Sequence, residues 1–204
     1  MQRIFMKRSD TLVLFDFDGT LSYRDSFLNF LCFTLPKWKI AVGGFWLSPH
    51  LTAYGLKLAD NGAVKERIIR QFYRQWPIDY FQGLGHRFAR ERLPGLIRPD
   101  ALDRLRWHQE QEHDIWVVSA SLETYLLPWC QNQGVRCLAT RLEYKQGTLT
   151  GKLALPNCWG PEKVNRVRQV VEPELYPYVF AYGDSRGDRE MLKLADYAYY
   201  RYFD

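Results

Sequence analysis

Three short apolar runs organise the chain: TLVLFDFDG from Thr11 to Gly19, DIWVVSAS from Asp114 to Ser121, and YVFAYGDS from Tyr178 to Ser185. Each is rich in Val, Leu, Phe, Tyr or Trp, and each breaks into carboxylates or small polar residues at its C-terminal end. Such runs predict buried strands. Strands that are apolar on both faces and separated by helices predict a parallel sheet covered on both sides. Ligands bind beyond the carboxyl ends of such strands, so the polar endings are expected to gather at one edge.

Helical segments fit between the runs. Pro99 to about Gln111 and Pro161 to Val171 both open with Pro and an acid, a common helix start. Leu122 to Asn132 ends before Gly134, and Asp188 to Leu194 is a short helix after the third run. LEYKQGTLTGKL predicts a hairpin turning at Gln146-Gly147. From Tyr23 to about Leu96 the alternation stops. This aromatic-rich stretch predicts helices broken at Pro36, Gly43-Gly44, Pro49, Asn61-Gly62 and Pro77. Its roughly seventy residues are too many for a loop. The expected division is a core of residues 1–21 and 97–204 with a helical subdomain, 22–96, inserted after the first strand.

Composition narrows the class. A chain of 204 residues, 47% hydrophobic and 25% charged, is that of a globular protein with one sizeable domain or a domain plus an insert. The 28 basic and 23 acidic residues leave a net charge of +5, which favours anionic partners in general. Basic residues are spread out with no Lys/Arg block or zinc-finger spacing, so no nucleic-acid partner is expected. Cys32, Cys130, Cys137 and Cys158 form no CxxC pair, which predicts neither a disulfide framework nor a structural zinc site. Scattered thiols suit a reducing cytoplasm. MQRIFMKRSD is too short and polar for a secretory signal, and no apolar run is long enough to predict a membrane span.

The candidate chemistry lies at the strand ends. Asp16 and Asp18 close the most apolar segment and are followed at once by Gly19 and Thr20. In a regular strand this spacing puts both carboxylates on one face, and a turn at Gly19 would adjust it. Lys163 falls in the first turn of its helix, a poor place for a cation unless the same N-terminus faces an anion. DFDGT, a strand ending in Ser119, Lys163 at a helix start and GDSRGD, in that order, resemble the haloacid dehalogenase superfamily of phosphoryl-transfer enzymes. The insert after the first motif resembles the C1-capped branch that includes phosphoserine phosphatases. The resemblance implies an α/β fold: a Rossmann-like core with a parallel sheet, plus a helical C1 cap.

It also implies roles. Asp16 matches a nucleophile that forms an aspartyl-phosphate. Asp18 matches the general acid/base, oriented by Thr20, and its presence indicates a phosphatase because the family's dehalogenases lack it. Ser119 and the backbone amide of Ala120 match donors to a phosphoryl oxygen, and Lys163 the neutralising cation, with Lys152 as its rival. Asp16, Asp184 and the backbone carbonyl of Asp18 match ligands to Mg²⁺, and Asp188 reaches the ion directly or through water. Converging carboxylates repel without a cation, and an oxygen-rich site suits Mg²⁺. One departure is Gly187, where phosphoserine phosphatases usually carry Asn.

Substrate choice falls to the insert. Asp25 occupies the place of a carboxylate that meets a substrate ammonium, and it equally suits a helix cap. Arg67, with Arg70 and Arg74 at helical spacing, recognises a second anionic group or faces solvent. The apolar stretch from Phe27 reads as helices around an aromatic core, or as a surface dipping into a bilayer interface with Lys37, Trp38, Lys39 and Trp46 as anchors. The expected function is Mg²⁺-dependent hydrolysis of a small phosphorylated metabolite in the cytoplasm. The alternatives are a phosphatase acting on lipid head groups such as phosphatidylglycerophosphate at the inner membrane face, and a module that holds phosphate without turnover.

Overall fold

The three apolar runs form adjacent parallel strands. In the computed structural model, which describes residues 9–44 and 61–204, β1 (Thr11–Phe15) is the central strand of five. β2 (Asp114–Leu122) and β6 (Tyr178–Gly183) flank it in parallel, and β3 (Arg136–Thr140) and β7 (Tyr197–Tyr200) form the edges. Phe15 pairs with Val117 and with Tyr182, so Asp16, Ser119 and Asp184 all lie towards the same carboxyl-terminal edge of the sheet.

Side-chain alternation covers both faces. Leu12 and Leu14 point to one side and pack with Trp116, Val118, Val167 and Met191. Val13 and Phe15 point to the other and pack with Leu105, Ile115 and Val117. Leu12, Val13, Leu14 and Phe15 are all fully buried, each worth about 1.5–3 kcal/mol. Against the first face lie α6 (Pro161–Val170) and α7 (Arg189–Leu192). Against the second lie α4 (Pro99–Glu110) and α5 (Glu123–Gln133), the latter closed by Gly134. This is the Rossmann-like α/β arrangement that the resemblance implies.

Between β1 and α4 the chain forms α1 (Ser26–Thr34), helical residues 37–44, α2 (Asn61–Tyr73), α3 (Ile78–Glu91) and a short 3-10 turn (Leu93–Leu96). Asn61 and Gly62, expected as a break between helices, are helical within α2, and the residues just before them lie outside the described residues. Phe30 of α1 meets Tyr73, Phe81 and Phe88, and also Tyr125 of α5, so the aromatic core of this segment is continuous with that beneath the sheet.

The expected hairpin is β4 (Leu142–Lys145) and β5 (Thr148–Leu153), with Gln146 and Gly147 both at positive φ. It bonds to the stretch between α2 and α3: Gln75 N donates to Leu149 O (2.8 Å), Leu149 N to Trp76 O (3.0 Å) and Ile78 N to Gly147 O (2.8 Å). Trp38 is 64% exposed and Val42 54%, whereas Trp46 lies outside the described residues. Among the described residues, no helix is long and apolar enough to cross a membrane.

Candidate active site

The first run was expected to stay extended to Gly19, but β1 stops at Phe15 and residues 16–22 fold into a tight loop. Ser22 N donates to Phe17 O (2.9 Å) and Gly19 N to Ser22 O (3.0 Å). Gly19 sits at φ +86°, and a Cβ there would collide with the Asp184 carboxylate, so only glycine satisfies both the turn and the approach. The loop separates the two acids. Asp16 faces Lys163, while Asp18 turns towards Ser26 of α1 and Ser121 of β2.

Asp18 Oδ1 accepts from Ser26 N (2.8 Å), and Oδ2 accepts from the Ser121 hydroxyl. Ser26 Oγ in turn lies 2.7 Å from Ser121 Oγ and 3.0 Å from the Tyr125 hydroxyl. Burial and the nearby Asp25 charge raise the Asp18 carboxyl above the usual range, against the pull of its serine donors. Thr20 was expected to orient Asp18. Its hydroxyl lies instead 3.5 Å from Asp16 Oδ2, because the loop turns residue 20 back towards residue 16.

Lys163, fully buried in the first turn of α6, donates to Asp16 Oδ1 and, at 2.6 Å, to Asp188 Oδ1. Burial opposes its charge, but those two carboxylates outweigh burial and hold its pKa above the ordinary lysine value. Its rival Lys152 is exposed. Ser119 is buried beside this group, its Oγ accepting from Ser121 N (3.0 Å), and Ala120 follows it within β2, which runs on to Leu122 rather than ending at Ser119.

Asp184 and Asp188 complete an acidic cluster with Asp16, each offering an oxygen within 4.8 Å of the others. Asp188 is fully engaged: besides Lys163 it accepts from Ser185 N (2.9 Å) and Ser185 Oγ (2.7 Å). Burial works against its ionisation, yet Lys163 and Ser185 hold its pKa below the usual range. Asp16 and Asp184 behave oppositely. Burial raises both; the Asp188 charge adds to the rise at Asp184, and Lys163 only partly offsets it at Asp16. Asp184 Oδ1 is buried and has no hydrogen-bond partner among the described residues. An orphaned carboxylate oxygen among three acids that share one lysine fits a hard divalent cation such as Mg²⁺. The Asp18 side chain is not part of this cluster.

Asp16, Asp18, Ser119, Lys163 and Asp188 line a cavity of about 380 Å³. Asp25 lines it too, but its Oδ1 caps α1, accepting from Leu28 N at 2.8 Å. Arg67 is exposed and does not line the cavity, because the face of α2 turned inwards carries Val64, Lys65 and Ile68. Sequence reasoning missed Lys65 and Trp159. Trp159 explains the departure at Gly187: a Cβ there would collide with the indole ring.

A parallel α/β core whose strand ends converge on paired aspartates, a buried lysine and an acidic cluster defines a hydrolase of the haloacid dehalogenase type. The model of the haloacid dehalogenase-like hydrolase family matches residues 13–193, and the chain belongs to that family. It is 36% identical over 201 residues to Protein CicA of Caulobacter vibrioides, covering 97% of this chain and 89% of that protein. Its fold is similar to a Bordetella pertussis Tohama I protein of unknown function: TM-score 0.78, 22% identity, 92% of this chain and 87% of that one. A phosphoserine phosphatase solved as a phospho-aspartyl intermediate analogue shares the fold at TM-score 0.55 and 19% identity, over 93% and 84% of the two chains.

Proposed function

We propose that this chain is a Mg²⁺-dependent phosphatase that hydrolyses a small phosphomonoester through an aspartyl-phosphate on Asp16. The observation that carries the reading is the division of labour between two aspartates in one loop. Asp16 is held by Lys163 beside the acidic cluster, and Asp18 stands apart with its carboxyl raised by burial. A raised carboxyl favours the protonated form that a general acid needs.

In the first step an Asp16 oxygen attacks phosphorus, the ester P–O bond breaks, and Asp18 gives its proton to the leaving oxygen. In the second, the Asp18 carboxylate takes a proton from water, whose oxygen attacks the same phosphorus and releases phosphate and free Asp16. Ser119 Oγ, the Ala120 amide and Lys163 are suited to hold the phosphoryl oxygens. Asp16, Asp184 and the Asp18 carbonyl would hold Mg²⁺, with Asp188 beside them. When bound, the ion would offset repulsion between the carboxylates and the phosphoryl group. We read residues 22–96 as a C1 cap over this site. The complete set of groups favours turnover over simple phosphate holding.

The test is release of p-nitrophenol from p-nitrophenyl phosphate with Mg²⁺. Asp16→Asn should abolish turnover, and Asp18→Asn should slow it by about 10²–10⁴-fold. Undiminished turnover in Asp16→Asn would contradict the mechanism.

A further inference from the structure

Lys65 is a buried cation that the proposed chemistry does not use. It is 8% exposed, and its Nζ donates to two neutral acceptors, the Ala120 carbonyl and, at 3.4 Å, Asn157 Oδ1. It also lies 5.3 Å from the centroid of the Phe27 ring. Among the described residues Lys65 forms no ion pair, in contrast to Lys163, which has two. The acids whose charge it feels, Asp18 and Asp25, are occupied by Ser26, Ser121 and Leu28. An ammonium buried without a counter-charge is costly, and a ligand that brings an anion removes the cost.

The cavity shows where that anion would come from. Lys65 stands in the same cavity as Asp16 and Asp18, among Phe27, Leu28, Val64, Ile68 and Trp159. We infer that Lys65 binds a second anionic group, a carboxylate or a further phosphate, carried on an apolar leaving group next to the ester oxygen. This rests on the phosphatase reading and narrows it to doubly anionic phosphomonoesters with an apolar skeleton. Burial pushes the Lys65 ammonium down to about 8, while Asp18 and Asp25 pull it up; a bound anion supplies the further stabilisation this charge lacks.

Three ring compounds test it: phenyl phosphate, 2-carboxyphenyl phosphate and 2-phosphonophenyl phosphate. Their binding is measured by calorimetry with Mg²⁺ in Asp16→Asn, so that no turnover intervenes, and their hydrolysis by the wild-type chain is measured separately. At least one of the two doubly anionic compounds should bind about tenfold tighter than phenyl phosphate, and which one does identifies the second anion. Lys65→Met should remove that preference and Lys65→Arg should keep part of it. Equal binding of all three, or a preference that survives in Lys65→Met, overturns the inference. If Lys65→Met does not fold, equal binding in its lysine-bearing parent still overturns it, and a preference retained in Lys65→Arg supports it. A preference without any hydrolysis would sink the phosphatase reading and leave the anion site standing.

Discussion

At position 187 one missing methylene connects local sequence to the shape of the site. Glycine is required there because the indole of Trp159 occupies the space a side chain would fill, and Trp159 also forms a wall of the cavity. Restoring the asparagine usual in phosphoserine phosphatases, Gly187→Asn, should therefore destabilise the chain by about 1–3 kcal/mol, read by urea unfolding. The same substitution in a Trp159→Ala background should cost measurably less, and equal costs would show that the ring is not the obstacle. Residues of this kind explain the limits of sequence reading. That Asp16, Asp18, Ser119, Lys163, Asp184 and Asp188 lie close together was legible because the family resemblance ties those residue types to fixed places in the chain. Lys65, Trp159 and Ser121 take their positions from how α2, the start of α6 and the end of β2 meet in space. Arg67 looked suitable by type, and helical geometry turned it outwards.

At the scale of elements, uninterrupted apolar runs marked the strands buried on both faces. The edge strands escaped notice because an edge needs less apolar surface. β3 opens on exposed Arg136, and in β7 three tyrosines replace aliphatic residues. The hairpin was legible from its Gln-Gly turn, but its attachment was not, since backbone bonds to residues 75–78 leave no side-chain signature. Leu149 sits at that junction, 1% exposed and hydrogen-bonded through its backbone to both Gln75 and Trp76. Leu149→Ala should cost about 2–5 kcal/mol in urea unfolding. A loss below about 1 kcal/mol would mean that the hairpin is a loose flap rather than part of the fold.

For the whole molecule, parallel topology brings together side chains separated by most of the chain length. Asp16, Ser119, Lys163 and Asp184 follow four different strands or connections, and all reach one edge because every strand of the sheet runs the same way. That convergence concentrates negative charge, and the buried Asp184 Oδ1, with no hydrogen-bond partner among the described residues, is where the proposed cation would offset it. Mg²⁺ at a hundredfold excess over its Kd should stabilise the folded chain by about 2.7 kcal/mol, seen as a rise of several degrees in Tm. Asp184→Ala should lose that rise, and an equal rise in both proteins would place the ion elsewhere.

The proposed mechanism depends most on Asp16 accepting a phosphoryl group. Borohydride reduces an acyl phosphate to the alcohol, so quenching the wild-type chain with it during turnover of p-nitrophenyl phosphate should convert Asp16 to homoserine, detected by peptide mass spectrometry. Steady release of phosphate with Asp16 unmodified, or with another side chain carrying the label, would contradict it.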